Sequence, residues 1–177
     1  MTQKTDLVSL FPEELQTILA ERGVPKYRAG QIYAWLYRGV KSFDEMTDLP
    51  LALRQALDEL FFIQSFREEA SVASRLDETR KYLFTLSDGE YVESVLLSYK
   101  HGYSVCLSTQ AGCRMGCRFC ASTGAGFARN LLASEILEQI RAITRDRRRE
   151  DPDFRVSHVV LMGIGEPLDN YDNVMRF

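Results

Sequence analysis

Between Tyr103 and Gly163 the hydrophobic residues change period twice. "YSVCLST" is a short run of β-branched and aromatic residues, which predicts a strand. "LASEILEQIRAITRDRRR" repeats its apolar residues at helical steps, with Ile136, Ile140 and Ile143 on the inner face beside Leu137 and Ser134 expected as the N-cap. "VSHVVLMG" is a continuous apolar run that ends in glycine, as expected of a strand buried on both faces. Strand, loop, helix and strand in this order make a β-α-β unit, whose two strands lie parallel in one sheet. The fold class is therefore α/β. In parallel architectures of this kind the segments leaving the C-terminal ends of the strands form the active-site face. Here those segments are "CRMGCRFC" after the first strand and "GIGEP" after the second.

Upstream of this unit, "KYLFTLSDGEYVESVLLSY" reads as two strands joined at Asp88-Gly89, a strong hairpin signal. The first third of the chain is helical in pattern. "FPEELQTILAERG" has Pro12 near a helix start, Leu15, Ile18 and Leu19 on one face, and Gly23 as a stop. "YRAGQIYAWLYRGV" spaces Ala29, Ile32, Tyr33, Leu36 and Val40 by three and four, and a third helix from about Pro50 to Phe62 carries Leu53, Leu57, Leu60 and Phe61. Trp35 is expected in that core rather than as a platform for a base. Residues 1–62 are thus expected to form a small helical domain and residues 63–177 an α/β domain.

No apolar run approaches the ~20 residues of a membrane span, and the N-terminus lacks a signal peptide's apolar core. A cytoplasmic location is expected, where thiols stay reduced and clustered cysteines serve as metal ligands or catalytic groups. The net charge of −3 argues against indiscriminate nucleic-acid binding. Arg141, Arg145, Arg147, Arg148 and Arg149 read first as a solvated helix end that suits the negative pole of the dipole, and second as a phosphate-contacting patch.

Three of the four cysteines, Cys113, Cys117 and Cys120, fall within eight residues as C-x3-C-x2-C. A structural zinc takes four protein ligands, commonly in two pairs. Cys106 on the preceding strand keeps that reading open, whereas His101 and His158 read as ordinary surface or core residues. A cubane iron–sulfur cluster normally has four thiolates. Held by three, it keeps one iron open for a substrate or cofactor, as the open position of a catalytic zinc does. Gly112 and Gly116 let the loop wrap closely around such a cluster.

C-x3-C-x2-C with Phe119 before its last cysteine resembles the signature of radical S-adenosylmethionine (SAM) enzymes, and "GIGEP" resembles their glycine-glutamate-proline turn. Within that superfamily, "ESVLL", "VCLSTQAGCRMGCRFCASTGAGFARNL" and "HVVLMGIGEPLDNYDNV" are most similar to the RlmN/Cfr family of RNA adenine methyltransferases. The likeness runs over essentially the whole chain. It implies a small helical RNA-binding accessory domain followed by the start of a partial (βα)6 barrel. The implied metal ligands are Cys113, Cys117 and Cys120, holding a 4Fe-4S cluster. Gly165, Glu166 and Pro167 border SAM, with Ser122 and Asn130 within approach of it. The implied catalytic residues are Cys106, as a resolving thiol, and Glu93, facing the target adenine.

The resemblance further implies methylation of carbon 2 of an adenosine in 23S rRNA, with transfer RNA as a second substrate. One SAM methylates a carrier cysteine, and a second yields the radical that activates that methyl for addition to the base. Carbon 2 is electrophilic, so a radical route avoids the mismatch of direct methyl-cation transfer. The electron comes from a donor such as flavodoxin or ferredoxin, and the complete enzyme is expected to be monomeric. The alternatives are a radical enzyme acting on another substrate, adenine carbon 8 included, and a non-catalytic RNA-binding module stabilised by zinc or an iron–sulfur cluster. None of the four cysteines fits the carrier. The 177 residues are therefore expected to be truncated at the C-terminus and to transfer no methyl group alone.

Overall fold

The computed structural model describes residues 4–177, the side chains of residues 123 and 125 excepted. Two compact units divide the chain at Ser65 and Phe66.

The first unit holds a two-residue strand β1 (Thr5–Asp6), helices α1 (Pro12–Ala20), α2 (Tyr27–Arg38) and α3 (Leu51–Leu60), and strand β2 (Phe61–Phe62), which lies parallel to β1. Pro12 opens α1 where its missing N–H costs nothing, and the Glu14 carboxylate accepts the Phe11 N–H at 2.7 Å. The helical periodicity carries through to packing. Leu15, Leu19, Ile32, Leu36, Leu57 and Phe61 are all buried, and Met46 and Leu49 from the connecting segment complete the core. Trp35 packs partly buried against this core while its indole N–H donates to Asp48.

The second unit is a five-stranded sheet crossed by one long helix. Strands β3 (Arg67–Ala73), β4 (Arg80–Thr85), β5 (Tyr91–Tyr99) and β6 (Gly102–Cys106) are antiparallel neighbours in that order. The β4–β5 turn falls at Asp88-Gly89, closed by the Leu86 N–H to Glu90 C=O bond at 2.8 Å. After β6 comes a separate antiparallel pair, β7 (Gln110–Gly112) with β8 (Phe127–Asn130), which brackets the cysteine segment. Helix α4 (Ala133–Arg147) then crosses to β9 (Val156–Val160), which lies parallel to β6, and the described chain ends in α5 (Tyr171–Arg176). The β-α-β unit expected from the sequence is therefore β6-α4-β9. The sheet core holds Tyr82, Phe84, Val92, Leu96, Val105 and Leu107 against Ile136 and Ile143 of α4.

Three details differ from the sequence reading. The strand expected to be buried on both faces, β9, is an edge strand of the described sheet, and its Ser157, His158 and Val159 are exposed. Ser134 lies buried inside the first turn of α4; the N-cap is Leu132, whose N–H is accepted by the Glu135 carboxylate at 2.9 Å. Glu135 stands three residues after the cap and supplies the reciprocal half of a capping box, leaving Ser134 no capping role. The arginine run is also neither wholly solvated nor a free phosphate patch. Arg141 and Arg145 pair with the fully buried Glu138, and Arg147 and Arg149 pair with Glu150 and Asp146. The buried Glu138 carboxylate on α4 requires a cation, and the run provides two.

Candidate active site

The parallel pair β6 and β9 sends two segments out of the same end of the sheet: residues 107–126, with the three clustered cysteines, and residues 161–167, with the glycine turn. Backbone bonds clamp the two together. The Gly163 N–H donates to the Leu107 C=O at 2.9 Å, and the Thr109 N–H to the Ile164 C=O at 2.9 Å. The fully buried Gln110 side chain binds both sides: its oxygen accepts the Glu166 N–H at 3.0 Å and its amide donates to Asn130 and to Asp169, each at 2.8 Å.

Arg114, inside the cysteine motif, grips Asp169 with two bonds of 2.6 and 2.8 Å and stacks over the Phe127 ring. That hydrogen-bonded guanidinium holds the Asp169 carboxyl below the usual carboxylate range, with Gln110 reinforcing it. Asn170 is buried and its amide satisfies the carbonyls of Thr109 and Leu131 at 2.8 Å each. At the loop base, the Cys113 N–H meets the Gly126 C=O at 2.8 Å. Gly112 allows this closeness: a Cβ there would fall 2.0 Å from the Gly126 oxygen. The close approach that Gly112 permits is thus to the returning backbone of the loop itself.

Cys113 is half-buried, and Cys117 and Cys120 are exposed. Among the described residues no three His, Cys, Asp or Glu side chains are gathered as a metal-binding group. The donor set nevertheless fits an iron–sulfur cluster by its chemistry: three soft thiols on one solvent-open loop, with Arg114 and Arg118 between them.

The sheet itself orders the other candidates. Val95 on β5 faces Cys106 on β6, and Cys106 faces Val160 on β9. Directly opposed residues point to one side of a sheet, as do residues two apart on one strand. Cys106 and Glu93 therefore share the face opposite α4, where Ser104 and His158 also lie. Cys106 is half-buried, and burial pushes its thiol pKa up, against an opposing hydrogen bond from the Met162 backbone. Glu93 makes a 2.7 Å ion pair with Lys81. Glu166 uses one carboxylate oxygen to accept the Leu168 N–H at 3.0 Å, capping the short helix that starts at Pro167. His101 and His158 are exposed and touch edge to face.

Residues 5–63 match the family model described as the ribosomal RNA large subunit methyltransferase N-terminal domain. Over 98% of the chain the sequence is 49% identical to "Probable dual-specificity RNA methyltransferase RlmN" of Heliobacterium modesticaldum and 52% identical to the protein of the same name from Lachnospira eligens. The chain is thus similar over nearly its whole length to proteins named RlmN, and its first third matches the model of their N-terminal domain. A radical SAM methyltransferase from Sphaerobacter thermophilus superposes on 97% of the chain with a TM-score of 0.87 at 40% identity, covering 50% of that structure. The chain spans about half the length of the curated relatives it matches.

In this chain the residues that assemble the site outnumber those legible as motifs. Gln139 is fully buried on α4; it accepts from the Ser94 hydroxyl and the Ser108 N–H and donates to the Ser108 C=O at 2.8 to 2.9 Å. The Ser108 hydroxyl donates to the Glu93 C=O at 2.6 Å and accepts the Ile164 N–H at 3.0 Å. One helix glutamine and one serine thus tie α4, the Glu93 strand and the glycine turn together. No spacing signals them, since a lone Gln or Ser is usually an exposed surface residue. Gln110, Asp169 and Asn170 stand inside the recognisable segments, yet only the fold reveals their mutual contacts.

Proposed function

We propose that the protein carrying this chain is a radical SAM RNA methyltransferase. Its substrate is an adenosine, modified at carbon 2, in 23S rRNA, with tRNA as a second substrate. One observation carries the reading: the cysteine loop and the "GIGEP" turn leave the same end of a parallel strand pair and are bonded to each other through Gln110, Asp169 and Arg114. Cys106 and Glu93 share one face of the same sheet, and the names of the relatives agree with the chemistry.

Cys113, Cys117 and Cys120 would hold a 4Fe-4S cluster, with the backbone of Gly165, Glu166 and Pro167 bordering SAM. The cluster and SAM together supply one-electron cleavage of a sulfonium. The chain's own residues do the rest. Gln110 and Asp169 hold the two segments in register, so that the bound groups meet at one place. Glu93 offers a carboxylate to the amino edge of an exposed adenine. Cys106, whose thiol burial pushes toward the protonated form, is the resolving thiol that helps to release the modified base. With all four cysteines so committed, the methyl carrier is a cysteine outside these residues. The electron donor is a flavodoxin- or ferredoxin-like protein. In the first unit, Lys26, Arg28 and Arg38 contact RNA phosphates; Arg28 stacks on Tyr27, and Arg38 on Trp35. RNA must be opened to present an in-ring carbon, which gives such an accessory domain its purpose.

The test starts with anaerobic reconstitution. About four irons and four sulfides per chain, with absorbance near ~400 nm, support the cluster. Cys113→Ala, Cys117→Ala and Cys120→Ala each lose the iron, and Cys106→Ala keeps it. Stoichiometric zinc without affinity for iron supports the non-catalytic module instead. The chain is then joined to the part of the Heliobacterium relative that it does not cover and is incubated with labelled SAM, reductant and RNA. Label in 2-methyladenosine confirms the reaction, and label in 8-methyladenosine alone moves it to carbon 8.

A further inference from the structure

We infer that Lys81 is a positioning residue for Glu93: it fixes the carboxylate on the substrate-facing side of the sheet and cancels its charge toward RNA phosphates. The inference rests on the functional reading above.

The register places the pair. Lys81 on β4 faces Val95 on β5, and Val95 faces Cys106 on β6, so Lys81, Val95 and Cys106 form one row across three strands. Glu93 stands two residues before Val95, diagonal to Lys81 on the same face. The ammonium and carboxylate meet at 2.7 Å, with the two side chains 52% and 39% exposed. A solvent-open pair of this kind contributes little to stability, about 0–1 kcal/mol. Stability is therefore a poor reason for its place in the row that holds Cys106.

Electrostatics supplies a better one. An unpaired carboxylate on a surface that receives RNA would repel the phosphate backbone. A lysine bonded to one oxygen makes the pair neutral at long range. The second oxygen is left to accept from an exocyclic amino group. Lysine suits this role, because its ammonium is a point donor that occupies one oxygen without the bidentate grip of arginine. The opposite face of β4 shows the contrast: Arg80 and Tyr82 both bond Asp146 of α4 there, a partly buried structural network.

Two measurements test the inference on the 177-residue chain. Lysine-selective NMR of the ammonium groups is expected to show the Lys81 signal restrained in the wild type and averaged in Glu93→Gln. A Lys81 ammonium already as mobile as that of Lys100 overturns the inference without touching the functional reading. The second measurement is affinity for a fluorescein-labelled RNA stem-loop with unpaired adenosines, beside the same stem-loop carrying uridines there. Lys81→Met is expected to weaken binding about three- to tenfold, Lys81→Arg to restore most of it, and Lys81→Met on the Glu93→Gln background to change it less than twofold. An equal loss in both backgrounds makes Lys81 a direct phosphate contact and overturns the inference, as does no loss in either. If the wild type binds neither RNA while the Lys81 ammonium is restrained, the RNA reading falls and the charge-cancelling role falls with it.

Discussion

Three glycines at the site separate backbone strain from steric overlap, and alanine at each gives a different result. Gly116 has φ +71 and nothing within 4 Å of an added Cβ, so Gly116→Ala meets strain alone. At Gly163 no left-handed backbone is needed, yet a Cβ would fall 2.6 Å from the Leu107 carbonyl and 2.7 Å from the Ser108 nitrogen. Gly165 combines φ +104 with overlaps of 2.7 to 2.8 Å on Gln110. Strain at such a φ costs about 1–3 kcal/mol, and overpacking against a backbone that cannot yield costs a further 1–3 kcal/mol, roughly. The loss of unfolded-chain entropy offsets about 0.4–1 kcal/mol at each position. Net, Gly116→Ala is expected to cost about 1 kcal/mol, Gly163→Ala about 2, and Gly165→Ala about 4.

Amide hydrogen exchange reads this locally, because the Thr109 N–H donates across the contact to the Ile164 C=O. At about 1.4 kcal/mol per tenfold, Gly165→Ala lowers Thr109 protection by about a thousandfold and Gly116→Ala by less than tenfold. The sole tryptophan, Trp35, lies in the first unit and serves as the control, with an unfolding transition that stays put. Equal effects of Gly116→Ala and Gly165→Ala, or Thr109 protection unchanged within threefold in Gly165→Ala, would refute the reasoning.

Arg129 bonds the 2%-exposed Glu135 through two nitrogens at 2.7 and 2.8 Å and also pairs with Asp88, so Arg129→Met strands a buried carboxylate and costs about 3–5 kcal/mol in urea unfolding; replacing both Arg129 and Glu135 by apolar residues should recover part of it. Asp169, with its folded pKa depressed by Arg114 and Gln110, stabilises the clamp above the unfolded pKa of ~3.9 and loses that contribution as pH falls further. Asp169→Asn should flatten this acid limb in a Thr109 exchange profile taken from pH 6 to pH 3, and an unaltered limb would place the titration elsewhere. Cys106, buried and raised, should alkylate with a pH midpoint above that of a free cysteine when the other three cysteines are serines, and a midpoint at or below it would mean that a neighbouring cation outweighs burial.

What the sequence alone determined is what repeats locally. Leu15, Leu19, Ile32, Leu36 and Leu57 follow the 3.6-residue period, and all of them are buried. The strand, helix and strand order forces β6 and β9 parallel and so brings "CRMGCRFC" and "GIGEP" to one end of the sheet. The cysteine and glycine motifs stand out because their spacing is rare in ordinary chains. The short β7 and β8 pair escaped, since strands of three and four residues show no period. The Ser134 cap failed because a glutamate three residues beyond Leu132 competed for the helix start and won. Only the tertiary structure decided that Gln110, Ser108, Gln139 and Asp169 hold the site. Each satisfies backbone or side-chain groups distant in sequence, 31 residues from Gln139 to Ser108 and 59 from Gln110 to Asp169. Hydrogen bonds of that reach follow from burial and register, which a linear pattern does not encode. The same holds for Lys81 and Glu93, twelve positions apart on two strands, which meet because the Asp88-Gly89 turn sets the register that puts them diagonally on one face.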